Sequence, residues 1–189
     1  SIPYPCITID PPRDTSLFDK GIRDTLEGDF DWLVLTSVNV VRAIAQRMKS
    51  MSLEIEELGD VPLAAVGPST AEAAHKILGL KVDLMPGEYV AEALAAAMQP
   101  IAGSRIFLPQ SDIARPVLYD ELTGAGAEVV TVDAYQTVLG RGGADLSSLL
   151  AHSMIDVITF TSPSTVKNFM IRLKDEGCNV KQLEDVVIT

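Results

Sequence analysis

Short apolar runs alternate with longer segments of helical periodicity along the chain. The runs at 32–36, 62–66, 81–85, 105–108 and 128–132 predict β-strands. Between them, apolar residues recur at helical spacing in three stripes: Val40, Val41, Ile44 and Met48; Ala71, Ala74 and Leu78; and Val90, Leu94, Ala97 and Ile101. Because strands and helices alternate, parallel strands joined by right-handed crossovers are favoured over hairpins. The pattern therefore predicts an open α/β sheet.

Two segments of the chain repeat one another. Residues 31–64 align with residues 156–189 without a gap, and nine of the 34 paired positions are identical. The repeat predicts two similar lobes. The second copy stops inside the strand equivalent to residues 61–66, and two strands bury too little apolar surface to be stable alone. We therefore expect further sequence to complete the second lobe, with a linker between the lobes at 141–145.

Composition and charge narrow the function classes. Lys and Arg total 15 and Asp and Glu total 26, giving a net charge of −11, which disfavours nucleic acid as a partner. The longest apolar runs are far shorter than the roughly 20 residues of a membrane span. Two cysteines with no leader before Cys6 favour a cytoplasmic protein. His75 and His152 lie far apart, so no zinc-type spacing predicts a metal.

Polar turns follow several predicted strands, at the sheet edge where open α/β folds bind ligands. The candidate anion-binding residues in these turns are Thr36, Ser37, Gly67, Ser69, Thr70, Thr161, Ser162 and Ser164. For any single turn, the alternative is that a hydroxyl only caps its helix. The repeated Thr-Ser turn, with Arg42 or Lys167 five residues after each serine, favours a two-sided cleft for a ligand with several carboxylates.

Two further candidates lie in the second half of the sheet. In the segment 109–115, Ser111 and Arg115 could meet an anion, or Arg115 could lie on a solvated helix face, with Pro116 limiting how early that helix starts. Tyr135, just past the last strand of the first lobe, could exchange a proton or simply pack. The chain has no GxGxxG, Walker A, GxSxG, CxxC or HExxH pattern, which disfavours nucleotide and metal chemistry.

Three segments carry a resemblance to a known family. They are Val-Gly-Pro-Ser-Thr-Ala at 66–71, Ala-Tyr-Gln-Thr-Val at 134–138 and Phe-Thr-Ser-Pro-Ser at 160–164. In their order and spacing, the chain resembles the uroporphyrinogen-III synthase family. The resemblance implies two flavodoxin-like lobes with parallel sheets and a two-stranded connector. Residues 10–136 would form one continuous, complete lobe, while 1–9 and 137–189 would form the connector and an incomplete split lobe.

The resemblance also implies an activity. The family converts linear hydroxymethylbilane, a tetrapyrrole whose rings each carry an acetate and a propionate, into a macrocycle with the last ring inverted and water lost. It implies a monomeric hydro-lyase without metal or organic cofactor, and no membrane partner. By position in the matching segments, Ser37, Thr70, Ser162 and Tyr135 would contact the substrate, and Tyr135 is the candidate proton donor. Positioning alone could suffice, because the free bilane closes unaided without inversion.

Two other function classes stay open on the residues alone. A two-lobed binding module could close on an anionic metabolite without converting it, and both the repeat and the cleft fit that interpretation. A flavodoxin-like electron carrier could hold a phosphate at the turn 36–39, although the aromatic flanks expected for a flavin are not evident there. Product formation would separate the synthase from the binding module, and a flavin absorbance spectrum would identify the carrier.

Overall fold

A computed structural model of the chain describes residues 2–160 and 163–189, with the backbone alone at 163 and 164. The chain forms two compact units. Residues Asp10–Gln136 make up the continuous unit, and Ser1–Ile9 with Thr137–Thr189 make up the split unit. The candidate residues from Thr36 to Tyr135 lie in the continuous unit.

Strands and helices alternate as the apolar pattern predicts. The strands are β1 (Ile7–Asp10), β2 (Trp32–Leu35), β3 (Leu63–Ala65), β4 (Arg105–Ser111), β5 (Glu128–Leu139), β6 (Val157–Ile158) and β7 (Val187–Ile188). The α-helices are α1 (Ser16–Leu26), α2 (Val38–Met51), α3 (Pro68–Ala73), α4 (Ala91–Ala97), α5 (Val117–Gly124), α6 (Leu146–Ala151) and α7 (Pro163–Asp175). A π-helical turn, Ala74–Leu78, continues α3, and 3-10 segments occupy Ile55–Asp60 and Val180–Leu183.

The main sheet has the strand order β1-β5-β4-β2-β3. Strand β2 is parallel to both β3 and β4, and β4 is parallel to β5, so the predicted open, mostly parallel α/β sheet is confirmed. The chain runs from β2 outward to β3 and then crosses back to β4 on the other side of β2. Such a reversal of strand order is the place where open α/β sheets bind ligands, at the carboxyl ends of the strands.

Alternate strand residues face two apolar layers. Leu33, Leu35 and Phe107 pack in one cluster with α1 and α2, while Val34 and Ile106 pack in the other with α4 and α5. Helix α1, which the apolar pattern did not single out, crosses this sheet closely. Gly21 permits the approach, because a Cβ there would overlap the Phe107 ring.

The structure differs from the predicted strands in two details. The run 81–85 forms only a single bridge, Ala64 to Leu84, because the Asp83 carboxylate accepts the Leu63 N–H at 2.8 Å and occupies part of the β3 edge. Strand β5 runs on to Leu139, so Tyr135 lies inside it.

The buried face of α4 also differs from the predicted stripe. Val90 is the exposed N-cap residue of the helix, and Ala97 is exposed as well. The buried residues are Leu94, Ala95 and Met98, followed by Ile101 beyond the helix end. The prediction was wrong for Val90 and Ala97. Helix α4 has only two turns, so its buried face is set by Leu94 and Met98, which are four residues apart.

The repeat in sequence is a repeat in structure. Leu33 pairs with Leu63 in the continuous unit, and Ile158 pairs with Ile188 in the split unit, each position shifted by 125 residues. The helix between the strands ends in both copies at a left-handed residue, Ser52 with φ 57° and Gly177 with φ 76°. Among the described residues, no helix has the length and apolar content needed to cross a membrane.

Candidate functional site

The turn between β2 and α2 carries the first candidate hydroxyl. Ser37 is the N-cap of α2, and its side chain accepts a hydrogen bond from the Val40 N–H at 3.2 Å. The capping role considered for Ser37 is therefore confirmed. The N–H groups of Val38 and Asn39 have no partner within the helix, as at the start of any α-helix, and the helix dipole favours negative charge beside them. Thr36, next to Ser37, is half-buried.

Tyr135 approaches this turn from β5, which is separated from β2 by β4. Its hydroxyl lies 3.4 Å from the Ser37 Oγ, although the two residues are 98 positions apart. A register irregularity between Gln110 and Ser111 places Ser111 opposite Tyr135, and the Tyr135 carbonyl accepts the Asp112 N–H at 3.1 Å. The fold therefore brings two of the candidate residues together at the edge formed by the carboxyl ends of the strands.

The hydrogen bonds of Ser37 and Tyr135 can fix the direction in which each hydroxyl proton points. The Ser37 Oγ already accepts the Val40 N–H, so its own proton can be donated to the Tyr135 oxygen. In that arrangement the Tyr135 O–H points away from Ser37 and is free to donate to a bound molecule. Half-burial of both side chains limits the water that competes for these hydrogen bonds.

The turn after β3 lies directly beside the Ser37 turn. Leu35 pairs with Ala65, and the Val66 N–H donates to the Leu35 carbonyl at 3.2 Å. Gly67 is the N-cap of α3, Thr70 is buried with 4% of its surface exposed, and Ser69 is exposed. Gly67 has no side chain and no side-chain cap is formed there, so the capping alternative does not describe Ser69 or Thr70.

The next two candidates lie at the end of β4, where Ser111 is the last residue, and in the loop that follows, which contains Arg115. The Ser111 hydroxyl donates to the Asp112 carboxylate at 3.1 Å and accepts the Ile113 N–H at 3.4 Å. It is thus engaged next to a negative charge, which makes this loop a poorer anion site than the Ser37 turn. Arg115 is exposed in the loop before α5 rather than on a helix face, so the helix-face alternative is wrong.

The candidates in the second Thr-Ser segment fall outside the described part of the structure. Thr161 and Ser162 lie outside the described residues, and so does the side chain of Ser164. Helix α7 begins at Pro163, as α2 begins at the equivalent Val38. The anion-binding role of these three residues stays a prediction. Within the described ranges, no group of three or more His, Cys, Asp or Glu side chains could hold a metal ion.

Comparison with known sequences identifies the family. The sequence model described as uroporphyrinogen-III synthase HemD matches residues 1–189. The chain belongs to the uroporphyrinogen-III synthase family. The resemblance carried by the segments 66–71, 134–138 and 160–164 is thereby confirmed.

Two curated relatives illustrate the match. A uroporphyrinogen-III synthase of Synechococcus elongatus is 35% identical over 173 residues, covering 89% of this chain and 63% of the relative. The porphyrin biosynthesis protein HemD of Ruminiclostridium josui is 26% identical over 180 residues, covering 92% of this chain and 34% of the relative. The chain thus spans less than two thirds of the length of either relative.

Solved structures support the fold. A mutant uroporphyrinogen III synthase from the extremely thermophilic bacterium Thermus thermophilus superposes with a TM-score of 0.59 at 18% identity, covering 96% of this chain and 71% of that chain. At this identity the likeness concerns the fold alone. It agrees with the α/β architecture and the mostly parallel sheet described above.

One residue beside the site was missed by the sequence reasoning. Tyr89 lies against Gly67, with its Cβ 3.4 Å and its Cγ 3.5 Å from the position that a Cβ on Gly67 would take. The segment around it has no regular strand or helix pattern, and Tyr89 falls between the predicted strand 81–85 and α4. Nothing in the sequence distinguishes Tyr89 from its neighbours, so it could not be singled out before its contact with Gly67 was known.

Proposed function

We propose that the protein is a uroporphyrinogen-III synthase, which closes linear hydroxymethylbilane into a macrocycle with loss of water and inversion of the last pyrrole ring. The observation that carries this proposal is the family match along the whole of residues 1–189. The pairing of Ser37 with Tyr135 at the ligand-binding edge supports it. No observation favours the alternative of a binding module without catalysis.

The substrate's carboxylates would be bound by neutral donors. The N–H groups at the start of α2 and the hydroxyls of Thr36, Ser37, Ser69 and Thr70 line adjacent turns of the sheet edge. Uncharged donors and helix dipoles stabilise anions without any excess of basic residues. A protein with a net charge of −11 can therefore hold a molecule that carries many acids.

Tyr135 is the candidate proton donor for water loss. Its O–H would protonate the departing hydroxyl while the C–O bond breaks, so that water leaves and the pyrrole nitrogen lone pair forms the new double bond of an azafulvenium ion. Return of the pyrrole N–H proton to the Tyr135 phenolate would give the neutral azafulvene. The substituted carbon of the terminal pyrrole would then attack this azafulvene and give a spiro intermediate. Ser37 would hold the Tyr135 oxygen by donating to it. No metal or organic cofactor is required by this sequence of steps.

Catalysis would rest mainly on holding one folded geometry of the chain molecule. Because the free bilane closes without inversion, the protein must favour attack at the substituted carbon over direct closure. We propose that Thr161, Ser162 and Ser164, which the sequence repeat relates to the Ser37 turn, also bind acid groups of the substrate. We propose a monomeric, cytoplasmic enzyme.

Isomer analysis tests the proposed function. The full-length protein is mixed with hydroxymethylbilane, and the oxidised products are separated by chromatography. We expect the inverted type III isomer as the main product, against the uninverted type I isomer in buffer alone. Formation of only the uninverted isomer would contradict the proposal. Tight binding of the bilane without faster loss of it would identify a binding module instead.

A further inference from the structure

The groups of the candidate site form a row along the carboxyl edge of the continuous unit. Tyr135 lies on β5, Ser37 follows β2, and the Gly67 turn follows β3. In the strand order β5-β4-β2-β3 these positions span three strand spacings, or roughly 14 Å. A chain of four linked pyrrole rings is long enough to extend along the whole row.

Tyr89 lies at the β3 end of this row, beyond the Gly67 turn. One part of its side chain packs against Gly67, while 57% of the residue's surface is exposed. Met85 and Val90, in the same segment of the chain, are 43% and 46% exposed. The polar row therefore ends at an exposed aromatic side chain that packs in part against Gly67.

We propose that Tyr89 is a binding residue whose exposed ring supports a pyrrole ring of the substrate at this end of the row. The inference rests on the proposed function, because it takes a tetrapyrrole as the ligand. Hydroxyls and N–H groups can bind the acid side chains, but they offer no surface to the flat rings that carry them. An aromatic side chain offers such a surface and orders few rotatable bonds in doing so.

The ring of Tyr89, rather than its hydroxyl, is the part assigned to binding. Tyr89→Phe should therefore behave as wild type, whereas Tyr89→Leu and Tyr89→Ala should raise the KM for hydroxymethylbilane. Stacking energies of aromatic pairs correspond to roughly a 2- to 12-fold effect. The kcat of these variants should change much less than their KM, since Tyr89 packs on Gly67 and makes no contact with the Ser37–Tyr135 pair among the interactions described. Tyr89→Leu keeps an apolar side chain on Gly67 and so guards against a folding defect.

The matched control is Tyr119→Ala, which removes a 38% exposed tyrosine on α5. Its KM should equal that of the wild type. A second readout uses isothermal titration with uroporphyrin III, the oxidised macrocycle, with melting temperatures of the free variants measured in parallel. We expect weaker binding by Tyr89→Leu and Tyr89→Ala and unchanged binding by Tyr89→Phe.

The outcomes separate this inference from the proposed function. If the wild type makes the type III isomer but Tyr89→Ala and Tyr89→Leu keep the wild-type KM and affinity, the role of Tyr89 is refuted and the function stands. If Tyr89→Phe is as weak as Tyr89→Ala, the hydroxyl is responsible and the proposed ring contact is wrong. If the wild type makes no type III isomer, the function itself fails.

Discussion

The side chains of Ser37 and Tyr135 meet at 3.4 Å, so the cap of α2 and the middle of β5 share one hydrogen bond. Because Ser37 is fixed by the Val40 N–H, the position of the Tyr135 hydroxyl is tied to the start of a helix. A hydroxyl fixed in this way stands beside the N–H groups that we propose bind substrate carboxylates. Positioning and proton transfer can therefore be separated by substitution.

Thr70→Ala should reduce kcat/KM more than Tyr135→Phe does. The expected order follows from catalysis by positioning, in which loss of a buried contact at the Gly67 turn misplaces the substrate, while water loss from the bilane needs little assistance. Steady-state rates of type III isomer formation measure both effects. We expect a loss of about tenfold or more for Thr70→Ala, the size of one hydrogen bond to a charged group.

Two substitutions on α5, away from the candidate site, remove the same kinds of group and serve as controls. Thr123→Ala removes an exposed threonine and Tyr119→Phe an exposed tyrosine hydroxyl, and both variants should keep wild-type rates. If Tyr135→Phe loses more activity than Thr70→Ala, proton transfer rather than positioning limits the reaction.

Local sequence patterns predicted the parts of the fold that local contacts determine. The stripe of Val40, Val41, Ile44 and Met48 is fully buried on α2, and the repeat predicted the same strand-helix-strand unit twice. The polar turn at Ser37 followed from the end of an apolar strand. Each of these features depends on residues within a few turns of one another, so periodicity and capping chemistry suffice.

Contacts between residues that are distant in the chain could not be predicted from the sequence. The approach of Tyr135 to Ser37 depends on the register irregularity between Gln110 and Ser111, which no pattern of apolar residues encodes. The position of Asp83 at the edge of β3 could not be predicted either. Its carboxylate accepts a backbone hydrogen bond that a predicted strand would have accepted. Tyr89 becomes a candidate only once its contact with Gly67 is known.

Ser52→Gly should stabilise the continuous unit. Ser52 ends α2 in a left-handed conformation with φ 57°, where a side chain is unfavourable, and the repeat places Gly177 at the equivalent position with φ 76°. In both copies the closing N–H bonds run to equivalent carbonyls, from Ser52 to Lys49 and from Gly177 to Lys174. We expect a gain of about 0.5–1 kcal/mol in the free energy of unfolding, measured by urea denaturation.

The same substitution two residues earlier supplies the control. Ser50 lies within α2 and its hydroxyl bonds the Gln46 carbonyl, so Ser50→Gly should lower stability by roughly 0.5–1 kcal/mol. A destabilising Ser52→Gly would show that the left-handed serine carries no strain and that the comparison with Gly177 fails.

Arg172 holds the split unit together at its N-terminal segment. Its guanidinium donates to Glu176 at 2.7 Å, to the Pro5 carbonyl at 2.6 Å and to the Gly142 carbonyl at 2.5 Å, and it lies 3.8 Å from the centre of the Tyr4 ring. Arg172→Met should leave both carbonyls without this partner, at a cost of about 1–3 kcal/mol each. We expect faster amide exchange at Gly140 and Ala144, whose N–H groups bond Cys6 and Pro3.

Arg172→Lys tests whether the planar fork or only the charge is needed. A lysine keeps the charge but cannot reach three acceptors in the same geometry, so it should restore little of the protection. Amides of β2 and β4 in the continuous unit serve as the internal reference and should be unchanged. Full protection in Arg172→Lys would refute the role assigned to the guanidinium fork.

The ion pair between Asp19 and Arg47 makes the stability of the continuous unit depend on pH in the acid range. The guanidinium donates to both carboxylate oxygens, at 2.7 Å and 2.6 Å, and joins α1 to α2. This hydrogen bonding holds the pKa of Asp19 below its usual value. Because the folded pKa lies below the unfolded one, near 3.9, the stabilisation is present above about pH 4 and is lost as the pH falls through the folded pKa.

Asp19→Asn should therefore be less stable than the wild type at pH 7, by about 1.5–3 kcal/mol, and the difference should shrink as the pH falls below about 4. Urea unfolding across pH 2–7 measures it. Glu72→Gln is the control, because hydrogen bonding to Lys76 also lowers the pKa of Glu72 but both side chains are more than 60% exposed. Its effect should be smaller and should disappear in concentrated salt, which screens exposed pairs but leaves the half-buried fork largely intact. A wild-type advantage over Asp19→Asn that is as large at pH 2 as at pH 7 would mean that packing, and not the ion pair, fixes α1 against α2.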